Sequence, residues 1–179
     1  MQTTLNTQYA ADLHWLAFLL TGRRGQSIVL AVETASEFPV APPFFAAWME
    51  AWSRRIVIAK ALTRIRKELA ASVRRTELKR VQGPALPSRE WRMSQDAKKS
   101  DLEAALLAID DFPRAALVLS VFEGVPAPDC AVLLDASPDL VKKALRIGLL
   151  ELTRNLAGAQ GWKSKTAHPA VIPTEMLYA

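Results

Sequence analysis

Apolar residues recur along this chain three and four positions apart, the period of helices buried on one side. Over residues 10–21 the pattern puts Leu13, Leu16, Ala17 and Leu20 on one face. Thr21-Gly22 closes it, with the glycine suited to a left-handed C-terminal cap. Residues 27–37 predict a short second helix. Val40-Ala41-Pro42-Pro43 then breaks the chain, because proline lacks a donor and clashes with a preceding helical turn. A long pattern follows over residues 44–82, with a bend expected near Ser53. Its apolar stripe is Ile58, Leu62, Ile65, Leu69 and Val73, and its other face carries Arg54, Arg55, Lys60, Arg64, Lys67, Arg74 and Arg75. Gly83-Pro84 and Pro87-Ser88 end that pattern. Residues 83–100 hold no sustained period and read as a basic linker. A second helical block covers 101–157, and residues 158–179, with two glycines and two prolines, read as a tail. No period-2 run of useful length occurs. The expected architecture is all-α: two small helical domains, 5–82 and 101–157, joined by the linker.

The second block carries the sharpest local signal. A short helix is expected over 126–134, a tight turn at Asp135-Ala136, and a new helix starting at Ser137-Pro138-Asp139. Serine caps free backbone N–H groups, proline suits the first helical position, and aspartate complements the positive end of the helix dipole. The new helix continues through Val141, Leu145, Leu149, Leu152 and Leu156, with Lys142, Lys143 and Arg146 in its first half. This is the outline of a helix-turn-helix, in which the second helix meets the major groove and its phosphates. An ordinary helical hairpin with solvent-facing lysines has the same outline.

Composition narrows the classes. Of 179 residues, 50% are apolar and 23% charged, the balance of a globular chain. No apolar run reaches the roughly 18 residues a membrane span needs, and no signal peptide is expected. A single cysteine, Cys130, excludes an internal disulfide framework, and two histidines argue against a Cys/His zinc site. The expected setting is cytoplasmic, with no metal, no cofactor and no membrane insertion. Charge is unevenly spread: residues 51–100 hold 14 basic and 4 acidic groups, whereas 101–179 hold 7 basic and 10 acidic. Such a basic stretch points to a polyanion partner.

Enzyme chemistry finds little support. No Ser/His/Asp grouping and no phosphate-binding glycine loop is present. His14 and Cys130 read as packing residues, and Asp110-Asp111 as a loop. Trp48 and Trp52, four apart, are expected in the core, with base stacking as the alternative. Trp91 in the linker is an expected exposed aromatic, and Trp162 and Tyr178 in the tail are expected anchors.

Taken in order along the chain, several short motifs resemble the extracytoplasmic-function group of bacterial RNA polymerase sigma factors. They are Leu19-Leu20-Thr21-Gly22, Glu33-Thr34, Phe45 with Ala47-Trp48, the leucine-rich Leu106-Leu107 and 114–119, Phe122-Glu123-Gly124, and Ala131 through Val141-Lys142. The resemblance covers roughly residues 8–157. It implies a transcription initiation factor, with a region 2-like domain over 5–82 and a region 4-like helix-turn-helix domain over 101–157. Core RNA polymerase and promoter DNA would be its partners, with an anti-sigma factor as a further one. By position, Leu30, Glu33 and Thr34 would serve polymerase binding. Arg54, Arg55, Lys60, Arg64 and Lys67 would lie along melting DNA, and Ser137, Lys142, Lys143 and Arg146 would face the upstream element.

The chain departs from that pattern in four places. Gln26-Ser27-Ile28-Val29 stands where the family carries acids, and the loop over 36–43 is short and proline-rich. Arg55 and Ala59 replace an asparagine and an aspartate. Ile147-Gly148-Leu149-Leu150-Glu151 replaces an arginine-rich stretch, with Ile147 and Leu150 expected as extra surface apolar residues. These departures keep a second reading open: a degenerate sigma-like interaction protein that binds an anti-sigma factor or other regulator without promoter recognition.

Overall fold

The computed structural model describes residues 2–37, 43–79 and 98–161, with side chains over 8–37, 44–79 and 98–161. All regular structure among them is helical. Helix α1 is Gln2–Thr21 and starts earlier than its apolar period, which begins only at Leu13. Gly22 closes it at φ 67°, and its amide reaches the Phe18 carbonyl at 2.8 Å. Helix α2 is Arg24–Glu37, with Ser27, Leu30, Ala31 and Thr34 turned inward.

A 3-10 turn at Pro43–Phe45 leads into α3, Ala46–Arg64, and α4 follows as Arg66–Leu78. The bend between them falls at Ile65 (φ −101°, ψ 14°), not near Ser53. Ser53 stays helical, its hydroxyl donating to the Met49 carbonyl at 2.8 Å. Neither proline nor glycine stands at the bend, so nothing local announces it. It keeps both Ile65 and Leu69 in the core, at 2% and 6% exposure.

The second half begins with α5, Lys99–Leu107, and α6, Asp111–Leu117. Asp110 caps α6, its carboxylate accepting from the Asp111 amide, so this pair starts a helix and does not lie in a plain loop. The helix widens into a π segment, Val118–Phe122, which ends at Gly124 with φ 65°. Helices α7, Ala127–Leu133, and α8, Pro138–Ala159, follow. Asp135 makes the turn between them at φ 49°, and Ser137 caps α8 by accepting from the Leu140 amide at 3.3 Å. Residues 38–42, 80–97 and 162–179 lie outside the described residues, including Trp91, Trp162, Tyr178 and most of the expected linker and tail.

One buried cluster runs through both halves. Leu13, Leu16 and Leu20 of α1, Leu30 of α2 and Val57 of α3 join Phe112, Leu117, Cys130 and Val141. Where α6 meets the end of α1, Arg114 is 4% exposed. Its Nε donates to the Leu19 carbonyl and Nη1 to the Ile109 carbonyl, both at 2.9 Å, and Nη2 reaches Asp111 at 2.6 Å. Arg114 thereby satisfies a carbonyl at the end of α1, which has no partner within that helix.

Helix α8 departs from its expected stripe at Ile147 and Leu149. Ile147 is 4% exposed and belongs to the core, not to the surface. Gly148 is the point where α8 crosses α6: a Cβ there would lie 2.9 Å from the Pro113 carbonyl oxygen. The glycine is a condition of that close crossing. Conversely Leu149, expected in the stripe, is 48% exposed. Among the described residues no helix is long and apolar enough to cross a membrane. Among the same residues no group of three or more His, Cys, Asp or Glu side chains is placed to hold a metal ion.

Candidate nucleic-acid interface

The first two turns of α3 carry the most distinctive surface. Phe44 and Phe45 in the preceding turn are 88% and 51% exposed, and their rings meet edge-to-face at 5.1 Å. Trp48 and Trp52 follow, 60% and 44% exposed, stacked on each other at 5.7 Å with 11° between their planes. Both were expected in the core. The buried row of α3 explains the outcome: carrying Val57 and Ala61 back by fours gives Ser53 and Met49, one position from each tryptophan. That register was the signal available in the sequence. Arg55, exposed, stands one turn further on. Adjacent flat rings followed by guanidinium groups can stack unpaired bases and hold phosphates.

Behind this ladder a cleft of about 730 Å³ separates α3 from α7, lined by Arg54, Arg55, Ile58, Val125, Val132 and Leu133 among others. A second cleft of about 340 Å³ adjoins it at Leu133 and reaches Arg66 and Arg74 on α4. Arg54 does not point free. Its Nε donates to Glu123 at 2.9 Å and its second nitrogen binds the other carboxylate oxygen, with Glu123 only 7% exposed. That bidentate bond is the main reason the Arg54 pKa is raised. Glu123 was legible as a motif residue but not as the partner of Arg54, because the pair is 69 residues apart in sequence.

Much of the basic stretch is neutralised in the same way. Lys60 pairs with Glu37 at 2.7 Å, Arg64 with Glu33 at 3.8 Å, and Arg75 with Asp110 at 2.6 Å. Lys79 pairs with Glu151. Arg55, Arg66, Lys67 and Arg74 have no ion pair among the described residues. The candidate phosphate-contacting set is therefore Arg55, Arg66, Lys67 and Arg74. Of the five expected along this face, only Arg55 and Lys67 are among them.

On α8, Ser137 is committed to its cap, and Lys142 reaches Asp139 at 3.4 Å. Lys143 donates to the Glu77 carbonyl at 2.8 Å, closing the last turn of α4. Arg146 is exposed. In this arrangement the first half of α8 lies against the end of α4, and Lys142 and Arg146 are its outward cations. On α2, Leu30 is 1% exposed and Thr34 fully buried, so of the three residues expected to bind polymerase only Glu33 reaches the surface. Compared with known proteins, the chain matches no family model, no curated protein and no solved structure.

Proposed function

We propose that this chain is a sigma-like transcription initiation factor that binds core RNA polymerase and promoter DNA. The observation that carries the reading is the exposed ladder of Phe44, Phe45, Trp48 and Trp52, continued by Arg55, on the helix that the sequence resemblance assigns to promoter contact. Four large rings at 44–88% exposure form an aromatic surface patch, and stacking on unpaired bases gives such a patch a use. The outward cations Lys142 and Arg146 on α8 fit phosphate contacts to duplex DNA. No bond-making step belongs to such a factor.

The test has two arms. Co-elution of the purified chain with its host's core polymerase, followed by transcription from its own promoters, is the expected result. In the second arm, the Trp48→Ala, Trp52→Ala double variant should weaken binding to a single-stranded oligonucleotide by about 1–3 kcal/mol per stacked base, measured by fluorescence anisotropy. Undiminished binding by that variant defeats the stacking role.

One observation favours the second reading. The outer face of α2 is apolar where the resembled family is acidic, with Ile28 and Val29 at 52% and 46% exposure, and Val32, one turn further on, at 62%. A sigma-like interaction protein that binds an anti-sigma factor or other regulator needs no charged polymerase-binding surface. A folded chain that neither co-elutes with polymerase nor directs transcription overturns the first reading and favours this one.

A further inference from the structure

Helices α3 and α4 carry one exposed stripe along most of their joint length. Trp48, Trp52, Arg55, Arg66 and Arg74 lie on it, and the exposed Ala59, Thr63 and Ala70 fill the intervals. The steps run four, three, four, four, three, four and four, which keeps a helical row on one face. The bend at Ile65 falls between Thr63 and Arg66 and leaves that order intact. The two rings thus pass directly into a row of three guanidinium groups with short side chains between them.

This stripe edges both clefts beside α7. Arg55 lines the first, and Arg66 and Arg74 line the second. Leu133, 41% exposed, stands in both, next to Val132 at 82%, so an apolar wall runs opposite the arginines. Arg55, Arg66 and Arg74 have no ion pair among the described residues. The nearby acids lie off the stripe or at its end. Glu123 is held by Arg54, and Asp129 and Asp135 belong to α7 and the turn after it. Glu50, two residues from each tryptophan, falls on the other side of α3, and Glu77, one turn past Arg74, closes the row.

We propose that single-stranded nucleic acid stacked on the ring ladder continues along this stripe, with phosphates on Arg55, Arg66 and Arg74 and bases turned into the clefts against α7. A single strand has the matching sides: a charged backbone and flat apolar bases. An acidic peptide would match the arginines but not the rings that open the row. The proposal rests on the single-strand reading of the ladder and extends that site onto α4 and the second half of the chain. Neither polymerase nor duplex DNA enters it. From Trp48 the row runs about 10 Å to Arg55 and about 39 Å to Arg74. At ~3.4 Å for each stacked nucleotide, that is about 3 and about 11 nucleotides.

Fluorescence anisotropy of the full chain with oligothymidylates of about 4 and about 12 nucleotides, over a salt series, tests it. Wild type should bind both. The Arg66→Ala, Arg74→Ala double variant, altered only at exposed sites, should keep its circular-dichroism melt and bind the short strand as wild type does. It should bind the long strand more weakly, with the slope of log K against log salt shallower by about 1.4, for two contacts at about 0.7 each. Normal short-strand binding with an unchanged long-strand slope overturns the stripe and spares the ladder. Equal weakening on both strands overturns it as well, because loss of general charge then accounts for the effect. Binding of neither strand by wild type overturns ladder and stripe together. A poly-glutamate peptide that displaces the long strand as well as the unlabelled strand does assigns the stripe to acidic protein and overturns the proposal.

Discussion

Two single residues illustrate how much of this fold turns on close approach. Glycine inside a helix costs about 1 kcal/mol relative to alanine, so Gly148 and Gly158 of α8 both look replaceable. Their surroundings differ. A Cβ on Gly148 meets the Pro113 carbonyl oxygen at 2.9 Å, and one on Gly158 meets nothing. Gly148→Ala should therefore lower stability, by about 1–3 kcal/mol for overpacking a core. Gly158→Ala should raise it by up to about 1 kcal/mol. Urea unfolding of the two variants checks the opposite signs. Arg114 is the second case. Replacing it with methionine keeps most of the bulk but strands the Leu19 and Ile109 carbonyls. Breaking a buried charged network in this way costs about 3–5 kcal/mol, which denaturant midpoints should register as the largest loss of the three.

At the scale of elements, the helices bounded by local chemistry were legible. Gly22 ends α1, and Ser137-Pro138 starts α8, as capping preferences dictate. The bend at Ile65 and the π segment at Val118–Phe122 were not, because no glycine or proline marks either and both are set by what the helix packs against. The tryptophans of α3 lie outside the expected core for a related reason: four-residue spacing says that two residues share a face, not which face. The ladder they form rests outside the core, so the Trp48→Ala, Trp52→Ala double variant should keep its melting behaviour within about 0.5 kcal/mol, the usual range for surface changes. A large loss of stability would mean that the rings pack rather than wait for a partner. Of the candidate site, Arg55, Lys67, Lys142 and Arg146 were found from sequence as cations and remain outward. Arg54 and Lys143 were found too, but their partners Glu123 and Glu77 come from the other half of the chain.

The whole molecule is held by bonds that cross between its halves. Trp15 donates to Glu103 at 2.8 Å, and Arg75 makes two bonds to Asp110. Arg75, with Ser72 and the Asp111 amide, holds the Asp110 carboxyl below its usual pKa. A folded value below the unfolded one means a contribution complete above the ordinary aspartate pKa of about 3.9 and lost as pH falls through the lower folded value. Asp110→Asn keeps an equally good helix cap while removing the charge. The variant should be less stable than wild type at neutral pH, and the gap should close on acidification below pH ~4, as thermal melts across that range would show. No gap at any pH would assign Asp110 a capping role alone.

The join between the halves also contains its own reporter. The amides in the first turn of a helix have no acceptor within that helix and ordinarily trade their protons with water freely. Phe112 occupies that position in α6, yet its amide donates to the Ser72 hydroxyl of α4 at 2.8 Å, and the residue is fully buried. Its protection is therefore lent by the opposite half of the molecule. The rate at which that one proton exchanges for deuterium times the parting of the halves, with no substitution or partner added.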